Sequence, residues 1–219
     1  MNIKISNILK DKNPQMALGT IICNVSNSKY NTNLWKEIEN ICNEIRKKYT
    51  LETIKINKQI EATRKMYLAC GKKPGRYRPA AEALMRRIVK GDSLYQINTL
   101  VDLVNLLSLK TGYSIGAFDA DFIEGDVEAG IGKENEPYKG IGRGQINIHN
   151  LPVLRDNKGA IGTPTSDEVR TAIRLETATL FVNINGYTGK DDLQPALNYA
   201  EKLLIKYADA KNIVKQIVE

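Results

Sequence analysis

Hydrophobic side chains recur along the first third of the chain in spacings that predict one strand and two helices. A nearly continuous apolar run over residues 15–25, bounded by polar stretches, predicts a buried strand. In residues 33–49 the apolar positions recur at steps of three and four, which predicts an amphipathic helix. Residues 53–68 follow as a second helix with a strongly charged face.

Proline and glycine divide the middle of the chain into further elements. The segment GKKPGRYRP at residues 71–79 interrupts the helical pattern. Pro79 suits the first turn of a new helix, and Gly91 suits the position just after the end of that helix. A further helix is expected over residues 97–110, ended by Gly112.

The second half of the chain is predicted to form mainly strands, followed by a last helix. Over residues 112–162 glycine is frequent and the apolar runs are short, as in strands joined by tight turns. Residues 177–185 form a strong strand candidate because they are rich in β-branched and aromatic side chains. Residues 191–207 predict an amphipathic helix that Asp191 or Asp192 could cap. Helices that flank clustered strands predict an α+β or layered α/β protein of one domain.

Composition excludes several classes of protein. The chain has 219 residues, of which 42% are hydrophobic and 26% charged, which is ordinary for a globular protein that closes a core. No apolar run approaches the roughly 20 residues of a membrane span, so an integral membrane protein is excluded. The first ten residues, MNIKISNILK, lack the pattern of a signal peptide.

Cysteine and histidine usage argues against metal chemistry and against a disulfide framework. The three cysteines, Cys23, Cys42 and Cys70, lie far apart, and His149 is the single histidine. An odd number of cysteines without a CxxC pair indicates neither a disulfide scaffold nor a Cys/His zinc site. We therefore expect no bound metal and a reducing, cytoplasmic location. His149 has no partner at a useful spacing, so an exposed or satisfied side chain is expected.

Positive charge is concentrated in the first part of the chain. The net charge is +7, and residues 1–90 carry 19 Lys and Arg against 7 Asp and Glu. Residues 64–90 hold nine cations and one acid, Glu82. These cations are Arg64, Lys65, Lys72, Lys73, Arg76, Arg78, Arg86, Arg87 and Lys90. Such a cluster attracts a polyanion such as nucleic acid through counterion release. A solvated, lysine-rich surface without a binding role would give the same sequence pattern.

The helix predicted over residues 97–110 carries a polar stripe on an otherwise apolar surface. At 100° per residue, Asn98, Asp102 and Asn105 fall within about 60° of one another. Buried polar groups need partners, so the stripe has two interpretations. It belongs either to a buried network that ties the helix to neighbouring loops, or to the wall of a ligand pocket.

Other local features have both a structural and a functional interpretation. Arg78 stands before a helix, where it could clamp a phosphate or carboxylate or cap a neighbouring carbonyl. Glu82 and Arg86 form an i,i+4 pair, which we interpret as ordinary surface support. Glycines in KGIGRGQ, residues 139–145, fit a hairpin rather than a nucleotide loop. Residues 163–176 gather hydroxyls, carboxylates and two arginines beside a strand, as binding sites or ordinary turns do.

Three segments taken in order resemble one known family. They are RYRPAAEALMRRIVKG at residues 76–91, INTLVDLVNLLSLKTGYSIGAFDADFIEGD at residues 97–126, and DEVRTAIRLET at residues 167–177, which precedes the late strand. They are similar to the editing (B3/B4) domain of the phenylalanyl-tRNA synthetase β subunit, and more closely to its free-standing single-domain relatives. The YRPAAEAL block points to the free-standing branch.

The resemblance implies a fold and a division of the chain. The expected fold is an α+β, three-layer β/β/α sandwich that forms a single domain over residues 1–219. Residues 1–70 would be a strand–helix lead-in, residues 76–185 the core match, and residues 186–219 a C-terminal helix.

The resemblance also implies a reaction on tRNA. Inside the synthetase, the domain hydrolyses tyrosine wrongly attached to phenylalanine tRNA, and the family is thought to use no protein nucleophile, with the terminal ribose hydroxyl assisting water. This chain is too short to carry an aminoacylation domain, so a complete tRNA ligase is not expected. A free-standing copy would act in trans on the acceptor end of mischarged aminoacyl-tRNA, without a cofactor. A non-catalytic module that binds tRNA or an amino acid, or an interaction domain, are the alternatives.

The resemblance implies candidate pocket residues, each at a position of this chain that matches a pocket residue of the family. Asn105 matches the family's pocket asparagine, Asp102 matches its neighbouring aspartate, and Val104 replaces a pocket threonine. The family's histidine falls at Gly116, and its glutamate has no clear counterpart in residues 159–169.

We therefore expect one set of residues at the ester and another on the RNA. The residues expected to orient the aminoacyl group or water are Asn98, Asp102 and Asn105. The residues expected to bind the terminal phosphate, the ribose or the acceptor stem are Arg76, Arg78, Arg86, Arg87, Arg170 and Thr171.

Overall fold

Two β-sheets and a layer of helices are stacked in the computed structural model, which describes residues 1–219. The helices are α1 Asn7–Lys12, α2 Thr32–Lys48, α3 Lys58–Ala69, α4 Ala80–Val89, α5 Thr99–Thr111 and α6 Leu193–Ala208. The strands are β1 Ile3–Ile5, β2 Ala17–Asn24, β3 Ile115–Asp119, β4 Val127–Ile131, β5 Lys139–Gly140, β6 Gly144–Gln145, β7 Pro152–Asp156, β8 Gly159–Thr163, β9 Ser166–Asp167, β10 Thr179–Gly186 and β11 Lys211–Val218.

The strands form two main sheets and a small hairpin. The four-stranded sheet has the order β11-β2-β10-β3, with every neighbouring pair antiparallel. The five-stranded sheet has the order β1-β4-β7-β8-β9, in which only β1 and β4 run parallel. Strands β5 and β6 pair with each other, as the hairpin expected for KGIGRGQ, and Gly140 in β5 also forms an isolated antiparallel bridge with Glu168.

The four-stranded sheet is buried on both faces, and this makes the molecule three layers thick. Successive side chains of a strand point to opposite faces. In β10, Leu180, Val182 and Ile184 belong to the core that the sheet shares with the helices. The neighbouring Phe181 belongs to a second core, between the two sheets. The three-layer β/β/α sandwich expected for the chain is therefore confirmed.

The predicted helices and central strands occur close to their expected positions, with one clear difference in α3. Helix was expected from residue 53, but Ile54–Ile56 form a single 3-10 turn and α3 begins at Lys58. The cause is Asn57, whose side chain accepts hydrogen bonds from the amides of Gln59 and Ile60 and so caps the helix there.

The last part of the chain departs from the expected helical end. Helix α6 stops at Ala208, and strand β11 then runs along the edge of the four-stranded sheet. The strand has a bulge near Asn212, where φ is 52°, and pairs with β2 in regular register from Val214 to Val218. At the other end of α6, Asp192 occupies the N-cap position, but its carboxylate pairs with Lys58 at 2.7 Å instead of capping.

None of the six helices combines the length and the apolar composition that a bilayer crossing requires.

Candidate functional site

The polar stripe of α5 lies on the helix side of the four-stranded sheet, where its first two members hold the start of the helix. Asn98 is the N-cap, and its side-chain oxygen accepts from the amide of Val101 at 3.0 Å. Asp102 is 1% exposed and accepts from Trp35 Nε1 at 2.8 Å and from the amide of Ile97 at 3.1 Å. Burial raises the pKa of Asp102, and the two hydrogen bonds oppose that rise.

Asn105 does not complete a pocket with the other two residues. It is half-buried, and its side chain makes no hydrogen bond within the protein. The contacts of Asn98 and Asp102 are those of a buried network that ties α5 to α2 and to the preceding loop. In this arrangement the stripe faces away from the space between the two sheets.

Replacing Asp102 with alanine is expected to cost about 1–3 kcal/mol of stability, because the indole of Trp35 and the amide of Ile97 then lose their buried acceptor. The indole of Trp35, the only tryptophan, is one of those donors, so its fluorescence should report the change directly. Urea unfolding followed by tryptophan emission measures both effects. Asn105→Ala is the matched control on the same helix and should change stability by less than about 0.5 kcal/mol. Equal stability and emission for the two variants would contradict the structural role of Asp102.

Several of the predicted RNA-binding arginines are engaged in contacts within the protein. Arg86 donates to the carbonyl of Leu51 at 2.9 Å, and Arg87 donates to the carbonyl of Ser93. Arg170 forms a two-pronged ion pair with Asp156, with both N–O distances at 2.9 Å.

Thr171 and Glu82 are both buried. Thr171 is fully buried, and its hydroxyl has no hydrogen-bond partner. Glu82 is 2% exposed and lies 2.9 Å from Arg64 and 4.0 Å from Arg86. The interpretation of Glu82 and Arg86 as a surface pair is therefore wrong, since this carboxylate compensates two arginines inside the protein.

Two of the predicted arginines remain available to a ligand. Arg76 and Arg78 are exposed, and neither makes an ion pair or a side-chain hydrogen bond. Both lie in the segment between α3 and α4 that the sequence marks as a break. Among the residues expected to bind RNA, these two arginines have a charge that is exposed to solvent and not paired with a carboxylate.

A carboxylate bridges the two sheets at one edge of the space between them. Asp167, in the short strand β9, reaches across to β3, where its Oδ2 accepts from the amide of Ala117 at 3.2 Å. No lysine, arginine or histidine pairs with it. Burial raises the pKa of Asp167 to about 7, and the hydrogen bond from Ala117 only partly opposes this shift. A carboxyl group that titrates near neutral pH inside a cleft is a candidate acid or base.

Two amide side chains line the same cleft as Asp167. Asn183 donates from Nδ2 to Oδ1 of Asn185 at 3.1 Å, and Asn185 donates to the carbonyl of Ser114 at 3.0 Å. The Oδ1 atom of Asn183 is buried and has no hydrogen-bond partner. Since buried polar atoms are nearly always paired, this oxygen is an acceptor open to a ligand or a water molecule.

The cleft is narrow because an aromatic ring fills most of it. Gly116 in β3 and Gly162 in β8 face each other across the cleft with the ring of Phe118 between them. A Cβ atom at Gly116 would lie 2.7 Å from Phe118 Cζ, and one at Gly162 would lie 2.6 Å from it. The free volume of about 10 Å³ holds about one water molecule.

Sequence reasoning missed the residues of this cleft, although part of the signal was visible. Asp167 lies within residues 163–176, a cluster of polar side chains beside a strand. Asn183 and Asn185 are separated by one residue in an apolar strand, so they must share a face of the sheet. Two amides on one face of a buried strand indicate a polar lining.

Comparison with known proteins agrees with this architecture. The sequence model described as the B3/4 domain matches residues 62–209. The crystal structure of an N-terminal fragment of the phenylalanyl-tRNA synthetase β subunit from Pyrococcus horikoshii has a similar fold, with a TM-score of 0.52 and 13% identity. That match covers 99% of this chain and 50% of the fragment, so the chain spans about half its length. No curated protein sequence matches the chain. The match over most of the sequence shows that the chain belongs to the B3/4 domain family.

Proposed function

We propose that the protein hydrolyses the ester of mischarged aminoacyl-tRNA in trans, and that the reaction takes place in the cleft between the two sheets. The observation that carries the proposal is Asp167, a carboxyl group with a pKa of about 7 and no charged partner. It lies in the same cleft as Asn183, whose side-chain oxygen is buried and unpaired. The similarity to a fragment of a tRNA synthetase supports tRNA as the partner.

The chemistry needs a base and a bound water rather than a nucleophilic side chain. An aminoacyl ester is already activated, so positioning and charge stabilisation supply most of the catalysis. Water attacks the ester carbonyl carbon while the Asp167 carboxylate takes its proton. The bond between the carbonyl carbon and the ribose oxygen then breaks, and the proton passes from Asp167 to that oxygen. The products are the free amino acid and the tRNA with its terminal hydroxyl restored.

The two asparagines would orient the substrate. The free Oδ1 of Asn183 is suited to accept a hydrogen bond from the α-ammonium group of the amino acid or from the attacking water. Asn185 would hold Asn183 in this orientation through the 3.1 Å hydrogen bond between their side chains. Neither asparagine has a charge that would compete with Asp167 for the proton.

The volume of the cleft limits the amino acid. Free space for about one water molecule lies beside the Phe118 ring, which occupies the space that side chains at positions 116 and 162 would otherwise take. We therefore expect the protein to prefer esters of small amino acids, such as glycine, alanine and serine. Every aminoacyl group is larger than one water molecule, so the ring of Phe118 must shift for any ester to enter, least for glycine and most for tyrosine.

The remaining parts of the proposal follow from the exposed charge and from the fold. Arg76 and Arg78 would contact the RNA near the ester, because their guanidinium groups are exposed and unpaired. One domain over residues 1–219 would carry the whole activity without a cofactor. The three cysteines are buried and unpaired, which fits the cytoplasm, where translation supplies aminoacyl-tRNA.

The proposal is tested by incubating the purified protein with tRNAs charged with glycine, alanine, serine and tyrosine. Release of the small amino acids above the spontaneous rate is expected, with little effect on the tyrosine ester. Asp167→Asn should remove the activity, whereas Asn105→Ala on α5 should leave it in place. If no ester is released faster than it hydrolyses spontaneously, the protein is not a deacylase.

A non-catalytic tRNA- or amino-acid-binding module is the second candidate. It is favoured by Gly116, which supplies no side chain where the family's histidine falls, and by the narrowness of the cleft. Binding of tRNA that weakens steeply as salt rises, without release of any amino acid, would support this function over catalysis.

A further inference from the structure

An open groove lies between two basic segments on the surface. One wall is the loop of residues 71–79 that joins α3 to α4, here called the basic loop. The other wall is the β5–β6 hairpin, residues 139–145, with the residues that follow it. The groove has a volume of about 460 Å³. Its lining residues are Arg76, Tyr77, Arg143, Gln145, Ile146 and Asn147.

The groove is strongly positive, and the charge is free to act on a ligand. Arg76 and Arg143 line the groove, one on each wall, and the two segments that form the walls carry five cations that are exposed and without an ion pair or a side-chain hydrogen bond. They are Lys73, Arg76, Arg78, Lys139 and Arg143. No acidic residue lines the groove. Cations that form no ion pair with a carboxylate of the protein are available to bind the phosphates of a nucleic acid.

An aromatic ring lies among these cations and is fixed in position. Lys72 Nζ is 4.1 Å from the centre of the Tyr77 ring. The same ammonium group donates to the carbonyls of Asn147 and His149 at 3.0 and 2.7 Å. Lys72 thereby ties the basic loop to the segment after the hairpin and holds the Tyr77 ring at the groove. A fixed aromatic ring beside phosphate-binding cations suits the stacking of an unpaired base.

Both walls of the groove are hydrogen-bonded to the segment that carries Asp167. In the hairpin, the amide of Ile141 donates to the carbonyl of Asp167 at 3.0 Å. At the end of the basic loop, the amide of Ala80 donates to the carbonyl of Pro164 at 2.7 Å. Both walls are therefore anchored on the segment that supplies the proposed base of the cleft.

We propose that this groove binds a single-stranded RNA end, with phosphates on Arg76 and Arg143 and one base stacked on Tyr77. This inference rests on the proposed function, because it gives the route by which the ester at an RNA end reaches Asp167. A paired stem hides the faces of its bases, so the stacking ring selects single strands over duplex. The hairpin, which sequence reasoning assigned to turn formation alone, becomes half of the binding surface.

The experiment measures binding of the full chain to a short fluorescein-labelled single-stranded RNA and to a blunt duplex of the same sequence. Arg76→Gln and Arg143→Gln should each make the plot of log association constant against log salt concentration less steep by about 0.7. This change corresponds to a loss of affinity of roughly fivefold near 0.1 M salt. Tyr77→Ala should weaken single-strand binding by about 5- to 150-fold, and Tyr77→Phe should retain it. Lys36→Gln is the matched control, an exposed and unpaired lysine on α2, and should bind as the unchanged protein does.

Two outcomes would overturn the inference. The first is single-strand affinity in the Arg76, Tyr77 and Arg143 variants equal to that of the Lys36 control. The second is equal affinity for duplex and single strand with the same losses in the variants, which would make the groove a general polyanion surface. Circular dichroism of Tyr77→Ala separates lost stacking from lost folding, and Tyr77→Phe tests the ring if that variant unfolds.

The result is independent of whether the cleft is catalytic. RNA binding that depends on the groove residues, without any ester release, would support the groove as an RNA-binding site and contradict the proposed deacylation. If esters are released, the groove variants should lose activity on aminoacyl-tRNA and keep it on an amino-acid ethyl ester, which has no RNA to bind. Equal loss on both substrates would contradict the role of the groove.

Discussion

Asp167→Asn is expected to stabilise the protein at pH 8 while abolishing the proposed deacylation activity. The folded carboxyl group has a pKa of about 7, raised by burial from an ordinary value of 3.8. Between about pH 4 and pH 7 the folded protein therefore holds a proton that the unfolded chain has released. Stability falls as the pH rises through this window, and above it the ionised group costs up to about 4 kcal/mol. Asparagine has no charge to bury and avoids that cost.

Urea unfolding at pH 4 and pH 8 measures this effect. The variant and the unchanged protein should be similar at pH 4, where the carboxyl group is protonated in the folded state, and the variant should be the more stable at pH 8. A stability difference that is the same at both pH values would show that Asp167 does not titrate in this window. A residue that lowers stability at the pH where it acts is typical of an active site.

Glu82→Ala is expected to lower the free energy of unfolding by about 3–5 kcal/mol. Removing this carboxylate leaves Arg64, whose side chain is 27% exposed, without its buried partner at 2.9 Å. Loss of one member of a buried ion pair is costly because the remaining charge keeps its desolvation penalty. Arg86, at 4.0 Å from the same carboxylate, loses part of its compensation as well.

The exposed pair between Glu61 and Lys65 provides the control for Glu82. It has a similar separation, 2.8 Å, but its side chains are 49% and 72% exposed. Glu61→Ala should cost less than about 1 kcal/mol, since solvent screens such pairs. Chemical denaturation of both variants gives the comparison. Equal losses for Glu82→Ala and Glu61→Ala would mean that burial adds nothing to the contribution of Glu82.

Local sequence patterns were sufficient for most of the secondary structure. Periods of 3.6 and 2 residues depend on side chains close in sequence, so the helices and central strands could be placed within a few residues. Cap chemistry decided the ends, as Asn57 shows at the start of α3. Strand β11 could not be predicted because its bulge at Asn212 and its place at the sheet edge depend on pairing with β2, which is distant in sequence.

The functional residues were harder to predict because their environment comes from distant parts of the chain. Helical periodicity placed Asp102 in a polar stripe, but not opposite Trp35, which lies 67 residues earlier. The raised pKa of Asp167 depends on burial against Ala117, 50 residues away. The alternation of β10 placed Asn183 and Asn185 on one face, and only the second sheet makes that face part of a cleft.

The most direct test of Asp167 as the base is the pH dependence of ester release from a tRNA charged with alanine. After the spontaneous rate is subtracted, the rate should rise about tenfold per pH unit below pH 7 and level off above it. In the Asp167→Asn variant the rate of ester release should be lower by about 10²- to 10⁴-fold and should no longer depend on pH in this way. An Asp167→Asn variant that keeps the rate and the pH profile of the unchanged protein would contradict the assignment of the inter-sheet cleft as the active site.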